Sequence, residues 1–156
     1  MIGLNHYTEL LAYIRQLALK DSLVKSVTQG DFDTLDLKKG QERNLVHVDL
    51  TGWNMPTGST VVMTGQIGAF ADRITYSKDE VDKFYRNSNE VDNLNETQAI
   101  LNRIVSVMYS DFEDKRINMT LGASADLYWN AATQLDGWIL SFSIEMPNTT
   151  LSLCNG

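Results

Sequence analysis

The chain has 156 residues, 43% of them apolar and 21% charged, which suits one globular domain (1–156) burying about 70% of its unfolded surface. Its 13 basic and 20 acidic residues leave a net charge of −7, and Lys and Arg never cluster beyond the pairs Lys38–Lys39 and Lys115–Arg116. That balance excludes a tight binder of nucleic-acid phosphates, although an acidic protein past which DNA slides is compatible with it.

The N-terminus MIGLNHYTELLAYIRQL lacks the basic start and apolar run of a secretory signal. No stretch approaches the roughly 18 apolar residues of a membrane span. Cys154 is the only cysteine, so an internal disulfide and a cysteine zinc site are both ruled out. An intracellular origin is expected.

In chain order, residues 5–20 are predicted to be a helix capped by Asn5, with Tyr7, Leu10, Leu11, Ile14, Leu17 and Ala18 forming one stripe. A short strand is expected over 23–28, then a polar loop or extended arm over 30–44. Residues 45–52 alternate, with Val46, Val48 and Leu50 opposite His47, Asp49 and Thr51. The Gly-, Asn- and Pro-containing GWNMPTGST that follows is predicted to be a turn. Residues 60–72 form a long strand, in which Gly65 and Gly68 indicate a bulge or a close backbone approach. A polar loop over 73–90 leads to a second helix over 91–113, where Asn93 and Glu96 have the spacing of a capping box. Alternation then predicts strands over 117–129 and 138–146, with Pro147 ending the second. Trp138, Leu140, Phe142 and Ile144 are expected to fix this last strand in the core. The order of helix, three strands, helix and two strands predicts an α+β fold: an antiparallel or mixed sheet flanked by two main helices.

The chain offers few signs of chemistry. Asp31, Asp33, Asp36 and Glu42 invite a calcium loop, but Leu35 and Asp36 stand where an EF-hand loop from Asp31 needs an oxygen ligand and a glycine. His6 and His47 have no metal-ligand spacing. GQIGAF and TGST lack the phosphate-cradling pattern, and no nucleophile elbow occurs. Neither a cofactor, a metal nor an enzymatic activity is expected. Trp53, Trp129 and Trp138 suit a core or an interface better than a ligand box.

The run LYWNAATQLDGWILSFSIEMPN followed by Cys154 resembles the C-terminal end of small neck and tail-terminator proteins of tailed bacteriophages, especially those of Bacteroidetes-like hosts. The features shared are Gly137–Trp138 opening a final alternating strand, Met146–Pro147–Asn148 closing it, and a cysteine a few residues later. The helix start DNLNETQAIL (92–101) is also similar. The resemblance covers about 91–154, and the first half only by order of elements. It implies a tail-terminator-like fold and a structural virion protein, made in the host cytoplasm. Such a protein forms a ring at the head–tail junction or tail terminus and joins head to tail around the DNA channel. The partners implied are further copies of the chain, as a hexamer or dodecamer, neighbouring neck or tail proteins, and DNA passing without specific binding; no membrane is implied.

Interface residues on this reading are Asp31, Asp33, Asp36, Lys38 and Lys39 of the arm over 30–44, which is expected to line an acidic lumen because it carries Asp31, Asp33, Asp36 and Glu42. They also include Trp53 and Trp138, Arg73 and Lys78 of the second loop, and Leu151 and Leu153 of the tail. The strands 60–72 and 117–129 exceed the usual five or six residues and are expected to pair with neighbours at their ends. Two alternatives remain at this stage: a small intracellular protein-binding adaptor, and an enzyme assisted by metal at Asp31, Asp33 and Glu42.

Overall fold

The computed structural model describes residues 6–32, 44–76, 84–113, 117–130 and 133–148. The periodicities build the elements in the expected order: α1 (His6–Leu19), β1 (Ser26–Gln29), β2 (Leu45–Thr57), β3 (Thr60–Asp72), α2 (Glu90–Glu113), β4 (Asn118–Asn130) and β5 (Leu135–Pro147). The strands form a single mixed sheet in the order β1-β2-β3-β5-β4, parallel between β1 and β2 and antiparallel elsewhere. The fold is α+β. None of the helices among the described residues is long and apolar enough to cross a membrane.

Both helices lie on one face of the sheet. The α1 stripe Leu10, Ile14 and Ala18 and the α2 stripe Ile100, Ile104 and Met108 bury against Val46 and Val48 of β2 and Met63, Ile67 and Ala69 of β3. Leu140, Phe142, Ile144 and Met146 of β5 complete the same cluster. Each β5 residue in that set alternates with an outward one, which is why a period of two suffices to assign its face. At roughly 1.5–3 kcal/mol for each fully buried large apolar side chain, this cluster is the main favourable term in folding.

Among the described residues, the opposite face is covered only at one end. There Phe70 packs edge-on against Tyr128 and Phe32, at centroid distances of 4.8 and 6.1 Å, with Leu45, Leu135 and Ile139 around them. The Phe70 ring can lie across the sheet because Gly68 and Gly137 have no side chain. A Cβ on Gly137 would meet the Ala69 carbonyl oxygen at 2.0 Å and Phe70 Cδ1 at 2.6 Å. Gly65 serves a bulge: a Cβ there would meet the Asp49 carbonyl oxygen at 2.5 Å, beside the register shift between Leu50 and Gly52.

Three expectations are corrected. GWNMPTGST is mostly strand: β2 runs to Thr57 and the turn is confined to Gly58–Ser59. Pairing with β3 and two register shifts absorb the turn-favouring residues there. Asn93 is no cap: it lies inside the first turn of α2, and its side-chain amide donates to the Asp72 carbonyl at 2.9 Å. β3 is no projecting strand, because β2 and β5 flank it along almost its whole length. The predicted cap Asn5 lies outside the described residues.

Gly137→Ala is expected to cost about 3 kcal/mol or more, because backbone and a buried ring stand where the methyl must go. Urea denaturation of the two proteins measures the loss; an unchanged midpoint would remove Gly137 as the seat of Phe70.

Candidate assembly surface

Asp136 and Arg73 organise one end of the sheet. Asp136 opens β5 and faces the helices, 1% exposed. Arg73 follows β3 directly and grips that carboxylate with two nitrogens, Nε at 3.0 Å from Oδ2 and Nη2 on Oδ1. Asn93 Nδ2 donates to the same carboxylate at 3.2 Å, and Glu90 approaches Arg73 Nη2 at 2.5 Å. The guanidinium also lies 3.7 Å from the centre of the Trp129 ring. Its pKa is raised by the hydrogen bond to Asp136, against an opposing burial effect. Asn89 and Asn93 both donate to the Asp72 carbonyl, at 3.1 and 2.9 Å. The network therefore ties the end of β3, the start of α2 and the start of β5 together. Its charged groups are engaged with one another.

His47 shows the same economy. It is fully buried, with Nε2 2.7 Å from the Gly30 carbonyl and Nδ1 2.7 Å from the Thr28 hydroxyl. A carbonyl only accepts, so Nε2 carries the proton and donates. The ring thereby fixes the chain leaving β1, and Phe32 packs edge-on against it at 4.8 Å.

Two of the grooves beside α2 have apolar floors. Between α1 and α2 lies a cavity of about 880 Å³, floored by Leu17 and Ile104. It is bounded by Tyr13, whose hydroxyl donates to Asp111 at 2.6 Å, and by the Arg103–Asp21 pair at 2.7 and 3.1 Å. The Arg103 hydrogen bonds hold the Asp21 carboxyl below its usual range, although burial opposes them. Burial, with the Asp111 hydrogen bond, raises the Tyr13 phenol.

The second groove, about 670 Å³, separates α2 from β4. Asn95, Gln98 and Asn102 line its helix side, Trp138 and Leu140 its floor and Ala125 its outer lip. The Trp138 indole N–H donates to the Leu94 carbonyl at 2.9 Å, which fixes the floor to the helix. Beyond the lip Leu127 is 61% exposed and Trp129 is partly exposed. β4 is the outermost strand, and among the described residues no strand pairs with its outer edge. Among the described residues, β2 also has no strand on its outer side beyond Val48, where β1 ends; Trp53, 64% exposed, lies on that stretch.

Among the described residues, none of the five strands contains Lys or Arg. On the open face Asp126 pairs across from Ile139, Glu145 from Val62, and Asp49 from Gln66. Asp49 is held above the usual carboxylate range, first by burial and then by the charge of Asp31, with His47 acting against both.

Of the residues expected at an interface, the structure brings Trp53 to the open stretch of β2 and leaves Trp138 half-buried on the groove floor. It commits Arg73 to pairs within its own chain and places Asp31 near Asp49. Asp33, Asp36, Lys38, Lys39, Lys78, Leu151 and Leu153 lie outside the described residues. Leu140, Phe142 and Ile144 are core residues. The sequence reading overlooked Asp136, whose signal is a lone carboxylate before Gly137 at the head of an apolar strand. Among the described residues no group of three or more His, Cys, Asp or Glu is placed to hold a metal ion. Comparison with protein-family models and with curated proteins returns no match.

Asp136→Asn is expected to lower stability by about 3 kcal/mol, by leaving Arg73 half-matched in a buried site. Glu90→Gln should cost under about 1 kcal/mol at its more exposed position; equal losses in urea denaturation would contradict the central role of Asp136. Asp49 carries the opposite sign. Its folded-state pKa is raised, so the ionised carboxylate opposes folding above that value, and the penalty fades as pH falls through it. Asp49→Asn should therefore raise Tm by about 1–2 °C at neutral pH, with the gain vanishing below about pH 4. A Tm unchanged or lowered at neutral pH would count against this.

Proposed function

We propose that this chain is a structural subunit of a tailed-phage virion. It forms a ring at the head–tail junction or tail terminus and surrounds the DNA channel, and its role is assembly, without catalysis. The observation that carries the reading is the open edge of β4. This edge has 13 residues without a lysine or a proline, the residues by which sheet edges usually deter pairing. A shift of register between Leu121 and Ala125 leaves 125–130 as a regular open run. Such an edge suits a protein whose sheet is completed by another chain.

The open face supports the channel. It bears the carboxylates Asp49, Asp126 and Glu145 among Thr64, Gln66, Ser141 and Ser143, and strands without a single cation. A lumen of this character repels phosphates and gives them nothing to grip, which suits DNA in transit. The resemblance of residues 91–154 to neck and tail-terminator proteins agrees with both features. A protein-binding adaptor is the second reading, favoured by the neutral apolar groove between α2 and β4.

Electron microscopy of intact particles tests the proposal. A closed ring of this chain at the neck or tail end is expected, with the open sheet face toward the channel. Particles lacking the chain would move the choice to the adaptor.

A further inference from the structure

We infer that the distal half of β2 from a second copy docks along β4, with its Trp53 seated in the α2–β4 groove; this rests on the ring reading above and names the surfaces that build the ring. Trp53 is 64% exposed, an unusual position for a tryptophan whose strand partner, Met63, is buried in the core. It lies on the part of β2 that β1 leaves open. The groove at the other end of the sheet is lined by no charged side chain. It offers an apolar floor for an indole ring, and side-chain amide oxygens on Asn95, Gln98 and Asn102 for its N–H.

Strand direction and facing both fit. β2 is antiparallel to β3, β3 to β5, and β5 to β4, so β2 and β4 run in opposite directions. A second copy continuing the sheet in the same sense meets β4 with an antiparallel strand. Facing follows from register, because directly opposed residues share a face. Trp53 opposes Met63 on the helix side, and Leu127 opposes Trp138 on that side too. The exposed apolar groups of the two edges therefore meet on one face of a continuous sheet, at the mouth of the groove.

The ladder is short. Register shifts on either side leave Gly52–Asn54 as the regular stretch of distal β2, centred on Trp53, and Pro56 cannot donate. The contact thus consists of a few backbone hydrogen bonds and one aromatic anchor, the kind of residue that dominates interface energetics. Because the two surfaces differ, the association is head-to-tail, and it closes into a ring where the rotation allows. Pairing of β4 with β4 would instead give a twofold dimer.

The test uses full-length chains carrying Cys154→Ser, with Met55→Cys in one and Leu127→Cys in the other, treated with a short bismaleimide at the highest soluble concentration. Cross-linking is expected in the mixture and not in either chain alone. Trp53→Glu should abolish association in sedimentation while leaving Tm within about 2 °C, as an exposed position allows. Self-cross-linking of the Leu127→Cys chain, or no cross-link in the mixture, overturns the docking. A ring in particles that survives Trp53→Glu also overturns it and leaves the ring reading intact. Cross-linked chains that build open filaments, with no ring in particles, would keep the docking and end the ring reading.

Discussion

The register between β3 and β5 is the constraint on which the rest of the molecule depends. All 13 residues of β3 pair with β5, from Thr60 with Pro147 to Asp72 with Leu135. A slip of one residue would turn every side chain of a strand to the other face, sending Ile144 and Phe142 to solvent and Ser143 and Ser141 into the core. Apolar alternation selects the register, and steric fit at Phe70 enforces it. That ring needs the empty space at both Gly68 and Gly137, and only one alignment puts the two glycines beneath it. Once this central pair is set, β2 adds to one side through a two-residue turn and β4 to the other, and the common apolar face receives both helices.

The Asp136–Arg73 pair fixes the end of this ladder at an electrostatic cost. Removing a carboxylate from water is expensive, and it is offset here by a two-pronged guanidinium contact, the Asn93 amide and a partly exposed second acid at Glu90. An apolar residue at position 136 would avoid the cost but could not specify where α2 begins. Because Asn93 bonds to both the Asp72 carbonyl and the Asp136 carboxylate, the helix docks in one axial position relative to the sheet.

Much of this was legible in the sequence where one periodicity dominated. Strand β3 and helices α1 and α2 were readable to within a residue or so, and β5 read as core because Leu140, Phe142 and Ile144 alternate cleanly. Distal β2 was not legible, because Gly52, Asn54, Pro56 and Gly58 carry the local signals of a turn. Their extended state comes from pairing with Thr60–Thr64, which no local window contains. The parallel placement of β1 and the interior position of β3 are likewise decided by partners distant in sequence. The candidate surface was legible in part: Trp53 was expected at an interface, and it is exposed on distal β2. Arg73 and Trp138 were also noticed, but their partners Asp136, Trp129 and the Leu94 carbonyl come from elsewhere in the chain.

The parallel pairing of β1 with β2 has a consequence for the order in which the sheet forms and loosens. β2 with β3, and β4 with β5, are neighbours in the chain that close through short connections. β1 meets β2 only after a longer excursion has been closed, and then over just four residue pairs. With only four pairs at the edge of the sheet, it is the strand with the least pairing to lose in partial unfolding. Each departure would free Leu45–Val48 and extend the open edge of β2 along its full length. The smallest strand thus sets how much of the proximal β2 backbone is paired within the chain.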